Sequence, residues 1–226
     1  MNARDPHRRA MLIDTFPQDL IAALPDPELR ELAVHGSVRS YRKDVVIIQE
    51  GDLGDSLYLI LAGRVKVFAS SEDARDVVLD THGAGEYVGE WSLDGGPRSA
   101  SVITLEPTVC SVLTRATLRE HIARHPEFAF DLLAKVIRRA RRATENVKSL
   151  ALLGVYGRLA KLFDELAVDE GGERVVPERL THQEIAERIG SSREMVSRLL
   201  TDLTKGGYVA IVDKRFVLRK PLPAAW

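Results

Sequence analysis

The chain has 226 residues, 45% hydrophobic and 29% charged, enough for one large or two modest domains with real cores. Its single cysteine, Cys110, excludes a disulfide framework and a cysteine-ligated iron–sulfur cluster. No apolar run approaches the ~20 residues of a membrane-spanning helix and no signal-peptide pattern lies near Met1, so a soluble cytoplasmic protein without a membrane partner is expected.

The net charge of −1 conceals a segregation. Residues 1–134 carry 14 Lys and Arg against 21 Asp and Glu, whereas residues 135–161 carry 8 against 1. Residues 162–176 are acidic again, and residues 177–226 carry 9 basic against 6 acidic groups. An acidic front half followed by a basic middle and C-terminus suits a nucleic-acid binder whose front domain is kept off the nucleic acid.

Residues 17–33 read as a short helical segment broken by Pro25 and Pro27. From Val34 to Leu113 the texture is β, with short runs at 45–48, 57–61, 65–68, 76–79, 101–104 and 109–113. Glu50-Gly51-Asp52, Ala62-Gly63, Gly83-Ala84-Gly85 and Asp94-Gly95-Gly96-Pro97 supply the turns between them. Strands this short and evenly spaced imply a sandwich, barrel or roll. Cys110, inside the run Val109–Leu113, reads as a buried core residue.

One stretch of this region carries chemistry. In Gly89-Glu90-Trp91-Ser92-Leu93-Asp94-Gly95-Gly96-Pro97-Arg98-Ser99 a carboxylate and an arginine flank a glycine-rich turn. Arg98 can fork onto a phosphate, with Ser99 and nearby backbone N–H groups adding donors. Glu90 can accept from a sugar hydroxyl. A Glu/Arg pair across a loop is also a common structural salt bridge, but a Gly-rich turn lets backbone approach a ligand closely.

From Thr117 to Leu166 the period becomes helical. Leu133, Val136, Ala140, Ala143, Val147 and Leu150 are spaced 3, 4, 3, 4, 3, the seam of a two-stranded coiled coil. The seam reads as a homodimer contact, the alternative being packing on the chain's own core. Arg138, Arg139, Arg141 and Arg142 surround Ala140 and form either a solvated face or an anion-attracting one. His121 and His125 lie four apart, a metal-compatible spacing, but with no third ligand in view no metal is expected.

Gly171-Gly172 marks a loop, and two short helices follow. Thr181 with Glu184, and Ser191 with Glu194, form capping-box patterns, and Gly190 falls at the turn between them. In the second helix Val196, Leu199, Leu200 and Leu203 share one face; Arg193, Glu194, Ser197, Arg198 and Thr201 share the other. Such a front suits the major groove of DNA, where arginine pairs with guanine and glutamate accepts from cytosine. His182, Gln183, Ser192, Arg193, Glu194, Ser197 and Arg198 are the candidate DNA contacts. Runs at 208–212 and 215–218 around Asp213-Lys214 read as a β-hairpin, which completes a winged helix.

The cassette from Gly89 to Val102, the long helix, and Ser191-Ser192-Arg193-Glu194-Met195-Val196-Ser197-Arg198 together resemble the Crp/Fnr family of transcription regulators, over roughly residues 30 to 219. The resemblance implies an α+β chain: an N-terminal β-roll (a double-stranded β-helix of the cyclic-nucleotide-binding type), a long dimerisation helix and a C-terminal winged helix-turn-helix. The corresponding parts are residues 1–116, 117–152 and 153–226. It implies ligand contacts from Gly89, Glu90, Trp91, Arg98, Ser99, Arg139, Ala143 and Thr144. Glu90 then meets a ribose hydroxyl, and Arg98 and Ser99 meet the phosphate. It further implies a homodimer on palindromic double-stranded DNA with TGTGA-like half-sites, and RNA polymerase as a partner. The effector expected first is cyclic AMP, with cyclic GMP and cyclic di-GMP beside it. Ala143 and Thr144 stand where the family type has Thr-Ser against the adenine, so only Thr144 keeps a hydroxyl. Trp91 stands where the family usually has a smaller aliphatic residue.

No nucleophile–base pair, metal-spaced cluster or Walker motif points to an enzyme. A haem or gas sensor on the same scaffold would use His82 or His35 as iron ligand. A cyclic-nucleotide module attached to an enzyme or channel would lack the two-helix unit and hairpin at 181–218. The expected protein is a ligand-responsive, DNA-binding transcription regulator.

Overall fold

A computed structural model describes residues 17–70, 76–90 and 94–223. They fall into two compact units, one holding residues up to 69 together with 79–137, the other 70–78 together with 138 onward.

The first unit opens with α1 (Pro17–Ala22) and α2 (Pro27–Val34). The helical segment is broken between Ala22 and Pro27, as expected, and Pro27 opens the second helix. Asp26 is the N-cap of α2, its carboxylate accepting from the Glu28 N–H at 2.9 Å, and Pro27 fills the first turn, where no backbone donor is required.

Eight strands follow in two four-stranded sheets. Strands β1 (Ser37–Tyr41), β8 (Thr108–Thr114), β3 (Ser56–Ala62) and β6 (Tyr87–Val88) form one, in that order. Strands β2 (Val46–Ile48), β7 (Ser101–Thr104), β4 (Val65–Ser70) and β5 (Asp76–His82) form the other. Only β1 and β6 had no run of their own in the sequence reading.

The period of two sorts β3 between two cores. Leu57, Leu59 and Leu61 pack with Leu29 and Leu32 of α2 and with Leu118 and Phe128 from the helices after the roll. Ile60, on the other face, packs with Ile48, Val65, Val102 and Cys110 inside the roll. Burial pushes the Cys110 thiol up to about 12, so the residue is an inert core side chain, as expected. Arg115–Arg124 form α3 and Glu127–Leu152 the long α4, which continues from the first unit into the second.

The second unit contains α5 (Val155–Leu166), β9 (Val168–Glu170), β10 (Glu173–Val175), α6 (His182–Ile189), α7 (Arg193–Lys205), β11 (Val209–Val212) and β12 (Arg215–Leu218). The strands make one antiparallel sheet in the order β11-β12-β10-β9. Val196, Leu200 and Leu203 of α7 meet Ile185 and Ile189 of α6, Leu159 and Phe163 of α5, and Phe216 of β12 in a single core. Gly171 and Gly172 are the turn of a β9–β10 hairpin rather than a plain loop. The hairpin's alternation is hidden because Asp169, Glu170, Glu173 and Arg174 are all exposed.

Candidate functional site

The pocket cassette begins where β6 ends. Gly89 has φ +91°, a backbone state that side chains rarely adopt, and it turns the chain from the strand to Glu90. After the Gly95-Gly96-Pro97 turn the chain pairs back on the 51–54 loop. Arg98 N donates to Asp52 O at 2.8 Å, Gly51 N donates to Arg98 O at 2.9 Å, and Leu53 bridges Pro97.

This pairing drives the Arg98 side chain inward. Arg98 is 7% exposed and Glu90 8%. The guanidinium donates from Nη1 to Gly89 O at 2.8 Å and from Nη2 to Ser56 O at 2.9 Å. A Cβ at Gly89 would stand 2.7 Å from Nη1, and one at Gly54 would stand 2.9 Å from Nη2. Two glycines are therefore the condition for seating this cation. Buried charges persist where they are bonded and oriented, and Arg98 is both. The structure brings Gly89, Glu90 and Arg98 together, with Ser99 exposed on the adjoining turn. Trp91 lies outside the described residues.

On α4, Arg139 is half-buried and Ala143 and Thr144 are exposed. The Thr144 hydroxyl donates to the Ala140 carbonyl at 3.0 Å, one turn back along the helix. Of the seam residues, Leu133, Val147 and Leu150 are exposed and Val136 half-buried; Phe130 and Ile137 extend the exposed apolar surface beyond the positions the spacing singled out.

The helix pair is built as its caps predict at one end and shifted by one residue at the other. Thr181 N donates to Glu184 Oε2 at 2.7 Å and Glu184 N to Thr181 Oγ1 at 3.2 Å, a full capping box. Gly190 ends α6 in the left-handed region at φ 61°, ψ 54°. The N-cap of α7 is Ser192, not Ser191, with Met195 N donating to Ser192 Oγ at 3.2 Å. Ser191 instead belongs to the preceding turn, its N–H donating to Ala186 O at 2.9 Å.

With Ser192 as cap, the front of α7 emerges as expected. Arg193, Glu194, Ser197, Arg198, Thr201 and Asp202 line one open surface concavity. The Glu194 carboxyl is held below the usual carboxylate range by its own backbone N–H, then by the Ser192 hydroxyl, with Arg193 and Arg198 adding to both. It presents itself as an ionised acceptor between two cations. His182 is half-buried, and Gln183 is exposed with its amide donating to Glu187 at 3.1 Å.

Arg158 was missed. From α5 its Nε donates to Ile189 O at 2.7 Å, Nη2 to Gly190 O at 3.2 Å and Nη1 to Leu153 O at 2.8 Å. It satisfies the carbonyls that the end of α6 leaves without helical partners. An arginine on the apolar side of an amphipathic helix was the available signal. Arg158→Ala should destabilise the second unit by about 1.5–3 kcal/mol, the range for charge-assisted bonds. Urea unfolding followed by circular dichroism measures this.

The histidines sort differently from their sequence reading. His82 is buried with Nδ1 3.3 Å from Glu86 and Nε2 3.5 Å from Asp80, while His35 is the exposed C-cap of α2. The absence of a third ligand near His121 and His125 is corrected: Glu31, from α2, lies beside both. Burial, then the neighbouring His125, pushes the His121 pKa below the ordinary histidine value.

The comparisons agree with this anatomy. Residues 38–125 match the model of the cyclic nucleotide-binding domain, and residues 157–221 that of the Crp-like helix-turn-helix domain. The chain is 36% identical over 177 residues to a CRP-like cAMP-activated global transcriptional regulator of Mycobacterium tuberculosis, covering 76% of this chain and 79% of that one. It is 30% identical over 203 residues to the cAMP-activated global transcriptional regulator CRP of Escherichia coli, covering 85% and 94%. Among solved structures, the catabolite activator protein of Thermus thermophilus matches with TM-score 0.52 at 32% identity, over 88% of this chain and 93% of that one. The c-di-GMP-responsive regulator CLP of Xanthomonas campestris shares the fold, with TM-score 0.75 at 24% identity, over 85% and 98%. The relatives are regulators rather than enzymes, and among the described residues no helix is long and apolar enough to cross a membrane. A β-rich cyclic nucleotide-binding domain, a long helix and a Crp-like helix-turn-helix make this chain a DNA-binding transcription regulator of the Crp/Fnr family.

Proposed function

We propose that this regulator is a cytoplasmic homodimer whose DNA affinity is set by a cyclic nucleotide, cyclic AMP first, held in the β-roll. The observation that carries the effector reading is the seating of Arg98: a buried guanidinium held by two backbone carbonyls, with glycines where any side chain would displace it. A fork-shaped cation fixed in that way is preorganised for a phosphate. Glu90 accepts from the sugar hydroxyl, Ser99 adds a phosphate donor, and Thr144 offers the base a hydroxyl. The relatives named for cyclic AMP support the same choice.

The sensor is residues 1–116, the linker and dimerisation helix 117–152 and the reader 153–226. Two copies joined along α4 present two α7 helices to adjacent major-groove half-sites of TGTGA type, from where RNA polymerase is contacted. Effector binding acts by favouring the arrangement that fits DNA.

The test is titration of the full chain onto a palindromic duplex, with and without cyclic AMP. Cyclic AMP should tighten the complex; cyclic GMP and cyclic di-GMP are run beside it. If only cyclic di-GMP acts, and Arg138, Arg139, Arg141 or Arg142 is required, the effector assignment is wrong while the DNA reading stands. In the same assay Arg193→Ala should cost about 1–3 kcal/mol on the cognate duplex and relax preference at one base pair. Equal weakening on every sequence would make Arg193 a phosphate contact only.

A further inference from the structure

Two imidazoles and a carboxylate meet on the helical side of the first unit. His125 N donates to His121 O at 2.8 Å, so the pair closes the last turn of α3 with both side chains on one face. Their rings stack with centroids 4.7 Å apart. Glu31 reaches in from α2, its Oε1 2.8 Å from His125 Nε2. One ligand atom from each of the three residues lies within 4.8 Å of the other two.

His121 is the anomaly. It is 0% exposed, yet neither Nδ1 nor Nε2 has a hydrogen-bond partner among the described residues. A buried polar group left in that state costs about 1–3 kcal/mol. A leucine would fill the same apolar surroundings, beside Phe128, without that cost.

We propose that Glu31, His121 and His125 bind a divalent transition-metal ion, zinc first, that ties α2 to the corner between α3 and α4. Two imidazoles and one carboxylate are a zinc donor set, the fourth position falling to water. Histidines four apart on a helix form a chelating pair. Imidazole nitrogen discriminates against magnesium and calcium, which take oxygen ligands. Zinc–ligand bonds of about 2.0–2.2 Å place tetrahedral ligand atoms roughly 3.3–3.6 Å apart, so the donors need only small movements, with the ion displacing the direct Glu31–His125 contact. The partly exposed His125 and Glu31 leave the ion a route from solvent. Because His121 stands edge-on to Phe128 in the first turn of α4, occupancy would stiffen the corner from which the long helix departs.

The experiment strips the full chain with a chelator and titrates it with zinc by calorimetry, following thermal unfolding in parallel. The wild type should take up one ion per chain at this site and melt at higher temperature with it. Glu31→Gln and His121→Leu should lose that uptake and that shift. His121→Leu in chelator should be at least as stable as the stripped wild type, since the unpartnered imidazole is gone. Cobalt should give visible ligand-field bands that vanish in the same variants. A wild type that binds no zinc, or variants that bind it as before, overturns the proposal. If His121→Leu does not fold, His125→Gln, at a partly exposed position, must lose the ion instead. None of these readouts depends on DNA or on a cyclic nucleotide.

Discussion

Arg98→Leu should abolish cyclic nucleotide binding, giving no heat in a calorimetric titration that yields a clear isotherm for the wild type. The loss has two sources. The phosphate loses its fork-shaped cation, and a charge-assisted pair of this kind is worth roughly twice a neutral one. The cradle also changes, because the Gly89 and Ser56 carbonyls lose the donors that hold the turn against the strand. Each charge-assisted bond lost is worth about 1.5–3 kcal/mol, so the variant should also melt lower while keeping its circular dichroism spectrum. Arg98→Lys separates the sources. Its ammonium restores a positive charge but cannot bridge two carbonyls with one planar group, so it should bind weakly rather than fail outright. Glu90→Ala should be milder still, since it removes one hydrogen bond to a neutral hydroxyl. Should Arg98→Leu lose less than about tenfold in affinity, equivalent to about 1.4 kcal/mol, the phosphate anchor lies elsewhere, and the arginines of α4 become the next candidates.

What could be read from sequence divides along the range of the interactions. The helix pair of the reader was legible because its signals are local: Thr181 with Glu184, Gly190, and apolar residues three and four apart on α7. The one-residue error at Ser191 came from a tie between adjacent serines, which the bond from Met195 N to Ser192 Oγ resolves. The break at Pro25 and Pro27 was legible because proline does not fit a helix interior, but not that Pro27 opens α2, which Asp26 beside it decides. The β9–β10 hairpin was invisible because both faces of its strands are charged, so no period of two survives. At the pocket, Arg98 and Glu90 were legible from the cassette, but not the Ser56 carbonyl or Gly54, more than forty positions away. Glu31 is ninety positions from His121, and no spacing rule reaches that far. Sequence exposed the candidate residues; folding supplied the groups that hold them still.

Val147→Glu should convert the proposed dimer to monomers in sedimentation and sharply weaken binding to a palindromic duplex. Val147 is 64% exposed in the single chain, and Phe130, Leu133 and Leu150 stand exposed on the same helix. Among the described residues Phe128 alone of the 26 in α4 is fully buried, so most of the helix's apolar surface is left open. A second copy along α4 would cover it. The substitution, present in both copies, would then set two carboxylates near the two-fold axis, and an uncompensated buried charge costs several kcal/mol. The single chain should tolerate the change, because glutamate favours helix more than valine does and position 147 is exposed without a partner. Loss of the dimer removes the second half-site contact, so the affinity gained by linking two readers is lost while the weak affinity of one remains. Val136→Glu, half-buried and near one end of the same seam, should act in the same direction. A variant that sediments as the wild-type dimer would place the contact on the Phe130–Ile137 flank of the helix instead, and Ile137→Glu would then be the substitution that separates the copies.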